Sequence, residues 1–318
     1  MAAMGLVTAT PMAAFAQAGS LRWGSSSIGS SGYVILEALA NVTNRNTELK
    51  GSVQATAGTT ENFVLMDRDQ LDIAHTTSLD WVAAKAGDKP FPGVIEANQL
   101  LCYTQWENPP LVMADSDIQT IEDLRGRSYS PSQPGSGSAA MARILFEAAG
   151  IIDDIQWVYG SWGEVYDLFG LGQIDAVHGV FTNGEPIGEV VKAEAAAPVR
   201  ALEYSEEVLR AANARNAGIF STELTPDTWP TLDRPIRTPG FSGILGADTR
   251  VSAEDGYAIT KAILDHVDEV HKFGNLLHGV TLENAVAGLL IGHPVNAGAA
   301  QYYKEKNVWR DDLLIAGA

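Results

Sequence analysis

Apolar and polar residues alternate with two different periods over the first third of the chain. Short apolar runs typical of β-strands lie at residues 21–24, 51–55 and 71–75. Each run is followed by a polar loop and then by a stretch with the spacing of an amphipathic helix. The apolar side of the first such helix is predicted to hold Val34, Leu36, Leu39 and Val42. Strand, loop and helix, repeated three times, predict an α/β unit with a largely parallel sheet.

The same alternation returns in the middle of the chain. Strand patterns lie at residues 126–130, 156–159 and 174–177. Helical patterns lie at residues 118–124, 139–149, 253–273 and 282–290, with another around Val165 and Leu168. Extended stretches at residues 100–114 and 238–245 flank the middle part. Two α/β lobes joined by two extended crossings predict a hinged fold, with residues 19–112 and 240–318 in lobe 1 and residues 113–239 in lobe 2.

The first residues differ from the rest of the chain. Residues 1–18 mix alanine with a few larger apolar residues and end in small-x-small patterns of the kind a signal peptidase cleaves. No basic segment precedes the apolar residues. We interpret residues 1–18 as a truncated signal peptide or a flexible tail, and we exclude them from the fold. The first alternative predicts an exported, extracytoplasmic protein.

Composition and charge narrow the class of partner. The chain has 318 residues, of which 46% are apolar and 19% charged, a globular composition with room for two lobes. Its formal net charge is −18, which disfavours nucleic acid and anionic membrane surfaces. No apolar run approaches the roughly 20 residues that cross a bilayer. Cys102 is the single cysteine, so the chain has no internal disulfide, and it is predicted to be a buried apolar residue.

Three loops that follow predicted strands are rich in Gly, Ser and Thr. They lie at residues 25–32, 56–62 and 135–138. Loops at the carboxyl ends of parallel strands meet at one edge of a sheet, where α/β proteins bind ligands. Glycine lets the backbone approach a ligand, and free N–H groups at a helix start attract anions. The loops therefore predict a carboxylate site without lysine, although Ser and Thr at such positions also cap helices.

The candidate ligand-binding residues come from these loops and from four aromatic residues near strand ends. The loops contribute Ser27, Gly29, Ser30, Ser31, Thr56, Gly58, Thr59, Asn62, Gly135, Ser136, Gly137 and Ser138. The aromatic candidates are Trp81, Tyr103, Trp162 and Phe181. Aromatic rings at a cleft cover the apolar part of a ligand, and core packing is the alternative role for each of them.

Patterns that carry catalysis are missing from the sequence. The six histidines form no HExxH motif and join no cysteine cluster, so no metal or cofactor is predicted. No loop ends in the Gly-Lys-Ser/Thr of a phosphate-binding P-loop. Ser27 or Ser138 as a nucleophile lacks an identifiable base. We predict a binding protein, and an enzyme on the same scaffold remains the alternative.

Five motifs in order resemble the TAXI-type solute receptors of TRAP (tripartite ATP-independent periplasmic) transporters over nearly the whole mature length. Residues 24–40 resemble the opening loop and helix of that family, and residues 55–62 its A-T-x-G-S-x-E-N element. Residues 123–126 with 134–138 are similar to its D-L-x-G…G-S-G-T element. Residues 172–176 resemble the G-x-I-D-A strand, and residues 293–305 the C-terminal H-P-G-A-x-x-Y-Y-x-E. The chain departs from the family at residues 30–33 and 295–297.

The resemblance implies a periplasmic-binding-protein type II fold that closes over an organic anion and delivers it to a membrane permease. Glutamate-like amino acids and dicarboxylates are the ligands it suggests, held by the opening, second and Gly-Ser-Gly loops. It also implies a monomer that works with a TRAP permease driven by an ion gradient. A ligand sensor for a membrane kinase is a further alternative.

Overall fold

The strand patterns form two mixed sheets in the computed structural model, which describes residues 20–28 and 30–318. The strands are β1 Ser20–Gly24, β2 Lys50–Gln54, β3 Ile73–Thr77, β4 Ala97–Glu107, β5 Pro110–Met113, β6 Ser128–Ser130, β7 Gln156–Trp157, β8 Ala176–His178, β9 Phe181–Thr182, β10 Glu185–Pro186, β11 Val199–Ala201, β12 Phe220–Leu224, β13 Ile236–Asp248, β14 Pro294–Val295 and β15 Leu314–Ile315. The predicted signal peptide, residues 1–18, lies outside the described residues.

The helices flank these sheets and bury their apolar sides against them. They are α1 Ser31–Asn46, α2 Thr59–Asp67, α3 Ser78–Ala86, α4 Gly137–Ala148, α5 Trp162–Gly170, α6 Gly188–Ala196, α7 Glu206–Arg215, α8 Ala253–Asp265, α9 Val267–His271, α10 Leu282–Ala287 and α11 Ala297–Glu305. Short 3-10 turns lie at Glu122–Leu124, Ile152–Asp154 and Asn275–Leu277. Within the described part of the chain, no helix is long and apolar enough to cross a bilayer.

The two sheets share one plan. The first has the order β10-β9-β4-β13-β3-β1-β2, and the second has the order β11-β5-β8-β6-β7. In the first, β2, β1 and β3 are parallel and β13 runs antiparallel beside β3. In the second, β7, β6 and β8 are parallel and β5 runs antiparallel beside β8. The predicted parallel strands are therefore present, and β13 and β5 run antiparallel beside them.

The two crossings are long and buried. β4 and β13 pair with each other over most of their lengths, and nearly all of their residues are buried. Beside them, Ser78 Oγ donates a hydrogen bond to the carbonyl of Gly218 at 2.6 Å and accepts one from the amide of Ser242 at 3.0 Å. A Cβ on Gly218 would lie 2.3 Å from the Ser78 carbonyl oxygen, so this position requires glycine.

Some sequence predictions shift or fail. The third strand begins at Ile73, two residues after the predicted start, because Leu71 lies in the turn that buries it below α2. The predicted helix at residues 118–124 is a 3-10 turn, and the pattern at residues 253–273 divides at His266. Val34 is 37% exposed, since it faces a cavity and not the core.

The sheets also assign strands to lobes. β9, β10 and β12 fall within the range predicted for lobe 2, yet they pair within the first sheet through β4 and β13. The second sheet is built from β5, β6, β7, β8 and β11. The lobe boundaries at residues 112 and 239 stay a prediction. We call the first sheet with its helices lobe 1, and the second sheet with α4, α5, α6 and α7 lobe 2.

Candidate functional site

Six helices begin at the wall of one cavity between the two sheets. The cavity has a volume of about 320 Å³. Lobe 1 contributes the starts of α1, α2 and α3, which follow its three parallel strands. Lobe 2 contributes the starts of α4, α5 and α6. Each helix start carries a partial positive charge, so six of them make the cavity attractive to an anion.

The attraction does not come from basic side chains. Among the described residues, no lysine or arginine lines the cavity. Its polar wall consists of hydroxyls, amides, backbone groups, one histidine and one glutamate, Glu189. Neutral donors of this kind hold a carboxylate at lower desolvation cost than a buried cation would.

Four of the six helix starts are capped by their own side chains. Ser30, Thr77, Ser136 and Ser161 accept hydrogen bonds from backbone amides in the first turns of α1, α3, α4 and α5. The capping role considered from the sequence therefore holds for Ser30 and Ser136, and both also line the cavity. The starts of α2 and α6, at Gly58 and Ile187, have no side-chain cap. One helix in each lobe thus leaves its first amides without a side-chain acceptor.

Glycines bring the lobes together beside the cavity. Gly58 has a φ of 137°, a backbone conformation that residues other than glycine rarely adopt. A Cβ on Gly58 would lie 3.5 Å from the Gly135 carbonyl oxygen of lobe 2. A Cβ on Gly137 would lie 3.4 Å from Thr59 Oγ1 and from Thr77 Cγ2 of lobe 1. The second loop and the Gly-Ser-Gly loop therefore meet across the cleft.

His75, the middle residue of β3, supplies a donor to the cavity wall. Its Nδ1 is hydrogen-bonded to the Tyr103 hydroxyl, and burial lowers the pKa of His75 to about 3, so the ring is neutral. Tyr103 makes no other side-chain hydrogen bond among the described residues, so we assign its hydroxyl as the donor to Nδ1, which places the histidine proton on Nε2. Nε2 lies beside Gly32, where a Cβ would be 2.6 Å away. An N–H group is thereby presented at the cavity wall.

Buried polar groups behind the wall fix the loops. Asp80 Oδ2 and Oδ1 accept from the hydroxyls of Thr77 and Thr60 at 2.6 and 2.7 Å, and burial raises the pKa of Asp80. Asn62 Nδ2 donates to the carbonyls of Ser25 and His75 at 2.7 and 2.8 Å. Asn62 therefore joins the first and second loops to β3 from behind.

The predicted site residues divide into two groups. Those at the cavity wall are Ser27, Ser30, Ser31, Gly58, Thr59, Ser136, Gly137, Ser138 and Trp162. Gly29 lies outside the described residues. Those not in the wall are Thr56, Asn62, Trp81, Tyr103, Gly135 and Phe181. Thr56 bonds to the carbonyl of Ser25 at 2.9 Å, and Gly135 contributes its carbonyl to the contact with Gly58.

Three of the aromatic candidates are core residues, which is the alternative role that the sequence left open. The Trp81 ring lies 5.2 Å from that of Phe63, and its Nε1 donates to Thr76 Oγ1 at 2.8 Å. Phe181 packs 4.7 Å from Trp229. Tyr103 is fully buried behind His75. Each side chain points into its lobe because its polar group, or its apolar ring, finds partners there and not in the cleft.

Sequence reasoning missed part of the wall. The missed residues include Ser26, His75, Thr77, Trp106, Asn108, Ser132, Gln133, Ile187, Glu189 and Phe241. Trp106 and Phe241 lie on the two crossings with ring centroids 5.1 Å apart. His75 is the last residue of the strand predicted at residues 71–75, and that predicted position was a usable signal. Pairing between β4 and β13, which brings Trp106 to Phe241, has no local signal.

A metal centre has no basis in the described residues, where no three His, Cys, Asp or Glu side chains are grouped to hold an ion. His178 is one histidine that is not available as a metal ligand in the cavity. Its Nδ1 is bonded to the Tyr129 hydroxyl at 2.8 Å, the ring is 1% exposed, and burial lowers its pKa to about 3.

The sequence matches a known protein family, and the fold is similar to that of several solved structures. The sequence model of the NMT1-like family matches residues 23–306. MatC from Rhodopseudomonas palustris, solved with bound malate, is 13% identical, with a TM-score of 0.53 over 81% of this chain and 88% of that one. A protein from Bordetella bronchiseptica RB50 is 15% identical, with a TM-score of 0.52 over 94% and 92% of the two chains. The substrate-binding protein of an amino acid ABC transporter is 12% identical, with a TM-score of 0.50 over 82% and 99%. The predicted two-lobed α/β fold of substrate-binding proteins is confirmed.

Proposed function

The chain belongs to the NMT1-like family, and from this premise we propose that it is a solute-binding protein that captures a small carboxylate between its lobes. The observation that carries the proposal is the meeting of six helix starts at one cavity whose described wall holds no lysine or arginine. A cavity of about 320 Å³ fits a small organic acid. MatC, which shares the fold, was solved with malate, and malate is a carboxylate.

In this proposal the carboxylate is held by the first, second and Gly-Ser-Gly loops. The amides at the start of α2 have no side-chain cap, and the hydroxyls of Ser27, Ser31 and Ser138 stand in the same wall. His75 adds its Nε2 proton from the middle of β3. Trp106, Phe241 and Trp162 cover the apolar part of the ligand. Bending at the crossings would open and close the cleft.

We further propose the TRAP-type receptor role that the five sequence motifs suggest. The protein would act outside the cytoplasm, as a monomer, and pass a glutamate-like amino acid or a dicarboxylate to a membrane permease. The lobe boundaries at residues 112 and 239 belong to this proposal. The protein binds its ligand without converting it, which separates it from an enzyme on the same scaffold.

The first test is a thermal-shift screen of small carboxylates, followed by calorimetry on those that stabilise the protein. A ligand should raise stability by RT ln(1 + [L]/Kd), and it should be recovered unchanged. A screen in which no organic acid binds, or in which the bound acid is turned over, would contradict the proposal.

A charge placed in the Gly-Ser-Gly loop tests the location of the site. Ser136→Asp keeps a good N-cap for α4, because Asp caps helices as well as Ser does, but it puts a negative charge at the carboxylate position. We expect at least a 100-fold loss of affinity, which is about 2.7 kcal/mol. Ser205→Asp makes the same exchange at the cap of α7, away from the cavity, and should bind normally. Equal affinities of the two variants would refute this placement.

A further inference from the structure

The first two helices of each lobe occupy corresponding places. The order of elements is β1-α1-β2-α2-β3 in lobe 1 and β6-α4-β7-α5-β8 in lobe 2. In each sheet the last of these strands lies beside the antiparallel strand, β13 next to β3 and β5 next to β8. Helix α5 therefore stands in lobe 2 where α2 stands in lobe 1. The first residue of α2 is Thr59, and the first residue of α5 is Trp162.

The corresponding strands β3 and β8 each carry a buried histidine with the same hydrogen bond. His75 and His178 are both bonded through Nδ1 to a tyrosine hydroxyl. Tyr129 makes no other side-chain hydrogen bond among the described residues, so we assign its hydroxyl as the donor to His178 Nδ1. That assignment places the His178 proton on Nε2, as in His75. Lobe 2 thus holds the same N–H donor as lobe 1.

The two donors differ in what they reach. His75 lines the cavity, whereas His178 is 1% exposed and does not. His178 Nε2 is buried without a hydrogen-bond partner among the described residues. A buried donor left unpaired costs free energy, so its presence in the core calls for an explanation.

Trp162 stands between His178 and the cavity. Its ring lies in the cavity wall, with its centroid 6.4 Å from that of His178 and an angle of 34° between the two planes. Tyr166, one turn further along α5, lies 6.2 Å from Trp162 and donates its hydroxyl proton to the His178 carbonyl at 3.0 Å. In lobe 1 the corresponding residue is the smaller Thr59, and there the histidine lines the wall.

We infer that Trp162 is a specificity-determining residue, which closes off the histidine donor of lobe 2 and thereby limits the length of the acid that the cavity accepts. This inference rests on the proposed function, which places one carboxylate at the three polar loops. A short acid ends at the indole ring. A longer acid needs the space that the indole fills, and its far end reaches His178 Nε2 only when that ring is absent.

The first test compares acids of different length by calorimetry. On the unaltered chain we expect pimelate, a diacid of seven carbons, to bind about 10-fold or more weakly than the five-carbon glutarate. Trp162→Thr gives lobe 2 the residue of lobe 1 and should strengthen pimelate binding about 10-fold, since a buried donor then meets a charged acceptor. Trp162→Phe keeps a ring in place and should keep the limit. The charge of Glu189 is present in every variant and cancels when one ligand is compared between them.

Two controls separate the donor from the added space. Heptanoate has the length of pimelate but one carboxylate, so it should gain much less from Trp162→Thr. Adding His178→Phe to Trp162→Thr keeps the space and removes the donor, so pimelate should lose its gain. A third measurement needs no ligand, because burial lowers the pKa of His178 to about 3. In Trp162→Thr that pKa, measured by NMR, should rise toward the ordinary value of about 6.5.

The outcomes separate the length limit from the proposed function. If pimelate binds the unaltered chain as tightly as glutarate, Trp162 sets no limit and the inference is refuted, even if Trp162→Thr does not fold. Equal gains for pimelate and heptanoate, or a gain that survives His178→Phe, would refute the role of the histidine. These results leave the carboxylate site standing. If no carboxylate binds the unaltered chain, the proposed function fails and the length limit fails with it.

Discussion

The two lobes are built on the same plan and contribute different chemistry to the cavity. In each lobe three parallel strands lead to three helices that begin at the cavity, and the third strand carries a buried histidine. Each histidine is bonded through Nδ1 to a tyrosine hydroxyl, and each has its pKa lowered to about 3 by burial. Only His75 of lobe 1 lines the cavity.

The difference lies in what covers each histidine. Trp162 lies 6.4 Å from the His178 ring and stands in the cavity wall in its place. His178 Nε2 is buried with no partner among the described residues. Both uncapped helices carry a glutamate in the first turn, Glu61 in α2 and Glu189 in α6, and of the two only Glu189 lines the cavity. Shared topology therefore fixes where groups are presented, while the side chains decide that lobe 1 presents a histidine where lobe 2 presents Trp162.

The largest effect is expected from glycine at the two uncapped helix starts. Gly58→Ala forces a side chain into a backbone conformation with φ of 137°, at the contact with Gly135. We expect affinity for the carboxylate to fall at least 100-fold, with about 1–3 kcal/mol lost in stability. Gly188→Ala, at the start of α6, meets nothing within 4 Å and should change affinity less than about 5-fold. Calorimetry on both variants would show whether ligand affinity depends more on the glycine at the start of α2 than on the glycine at the start of α6.

The paired histidines give the next largest difference. His75→Phe removes a donor from the cavity wall, and His178→Phe removes one that is sealed beneath Trp162. Each variant leaves a buried tyrosine hydroxyl unpaired, at a cost of about 1–3 kcal/mol in unfolding free energy. We expect His75→Phe to lower affinity about 10- to 100-fold, equivalent to about 1.4–2.7 kcal/mol, and His178→Phe to leave it within about 3-fold. Equal losses of affinity would remove the distinction between the lobes.

A smaller effect, the loss of folding stability as the pH falls, should be common to the histidines of both lobes. Because each histidine has a folded pKa near 3, below its unfolded value, the unfolded chain binds more protons and stability falls as the pH drops below about 6.5. The expected loss at pH 5.5 is on the order of 1 kcal/mol for each histidine. The stability deficit of either His→Phe variant should therefore shrink between pH 7.5 and 5.5 in denaturant titrations. A deficit that stays constant would show that the histidine titrates normally.

A further effect of pH on stability concerns the crossing between the lobes. Glu107 is buried at the end of β4, where Oε2 accepts from the Gly184 amide at 2.9 Å, and burial raises its pKa to about 7. The folded chain then binds the extra proton, so stability falls as the pH rises from about 4.5 toward 7. Glu107→Gln keeps an acceptor for Gly184 and should add about 3 kcal/mol to the free energy of unfolding at pH 8, with the gain shrinking toward pH 5. A gain that is independent of pH would point to packing and not to the charge.

Local patterns predicted most of the frame but not its connections. The strand starts and the helices after them were readable because apolar spacing reports which side of an element is buried, as in α1 and α4. The register of β3 and the break in the helix at His266 could not be predicted from apolar spacing, since both depend on partners far along the chain. Helix α11 was missed because it packs on α8, and small residues such as Gly298 carry little periodic signal.

The candidate site divides along the same line. Ser30, Gly58 and Ser136 were predicted because loop composition at strand ends is a local property. Trp81, Tyr103 and Phe181 looked alike in sequence, yet they pack in the core while Trp162 reaches the cavity wall. Which way an aromatic residue points depends on the neighbours that receive it, such as Phe63 for Trp81 and Trp229 for Phe181.

The sequence by itself determined a two-lobed α/β fold and three polar loops suited to a carboxylate, because period and composition act over a few neighbouring residues. The tertiary structure alone decided that α2 and α6 start uncapped and that His75 faces the cavity while His178 is sealed. These features join residues that are distant along the chain, through the pairing of β4 with β13 and the contact of Gly58 with Gly135. Long-range pairing sets them, and no local pattern encodes it.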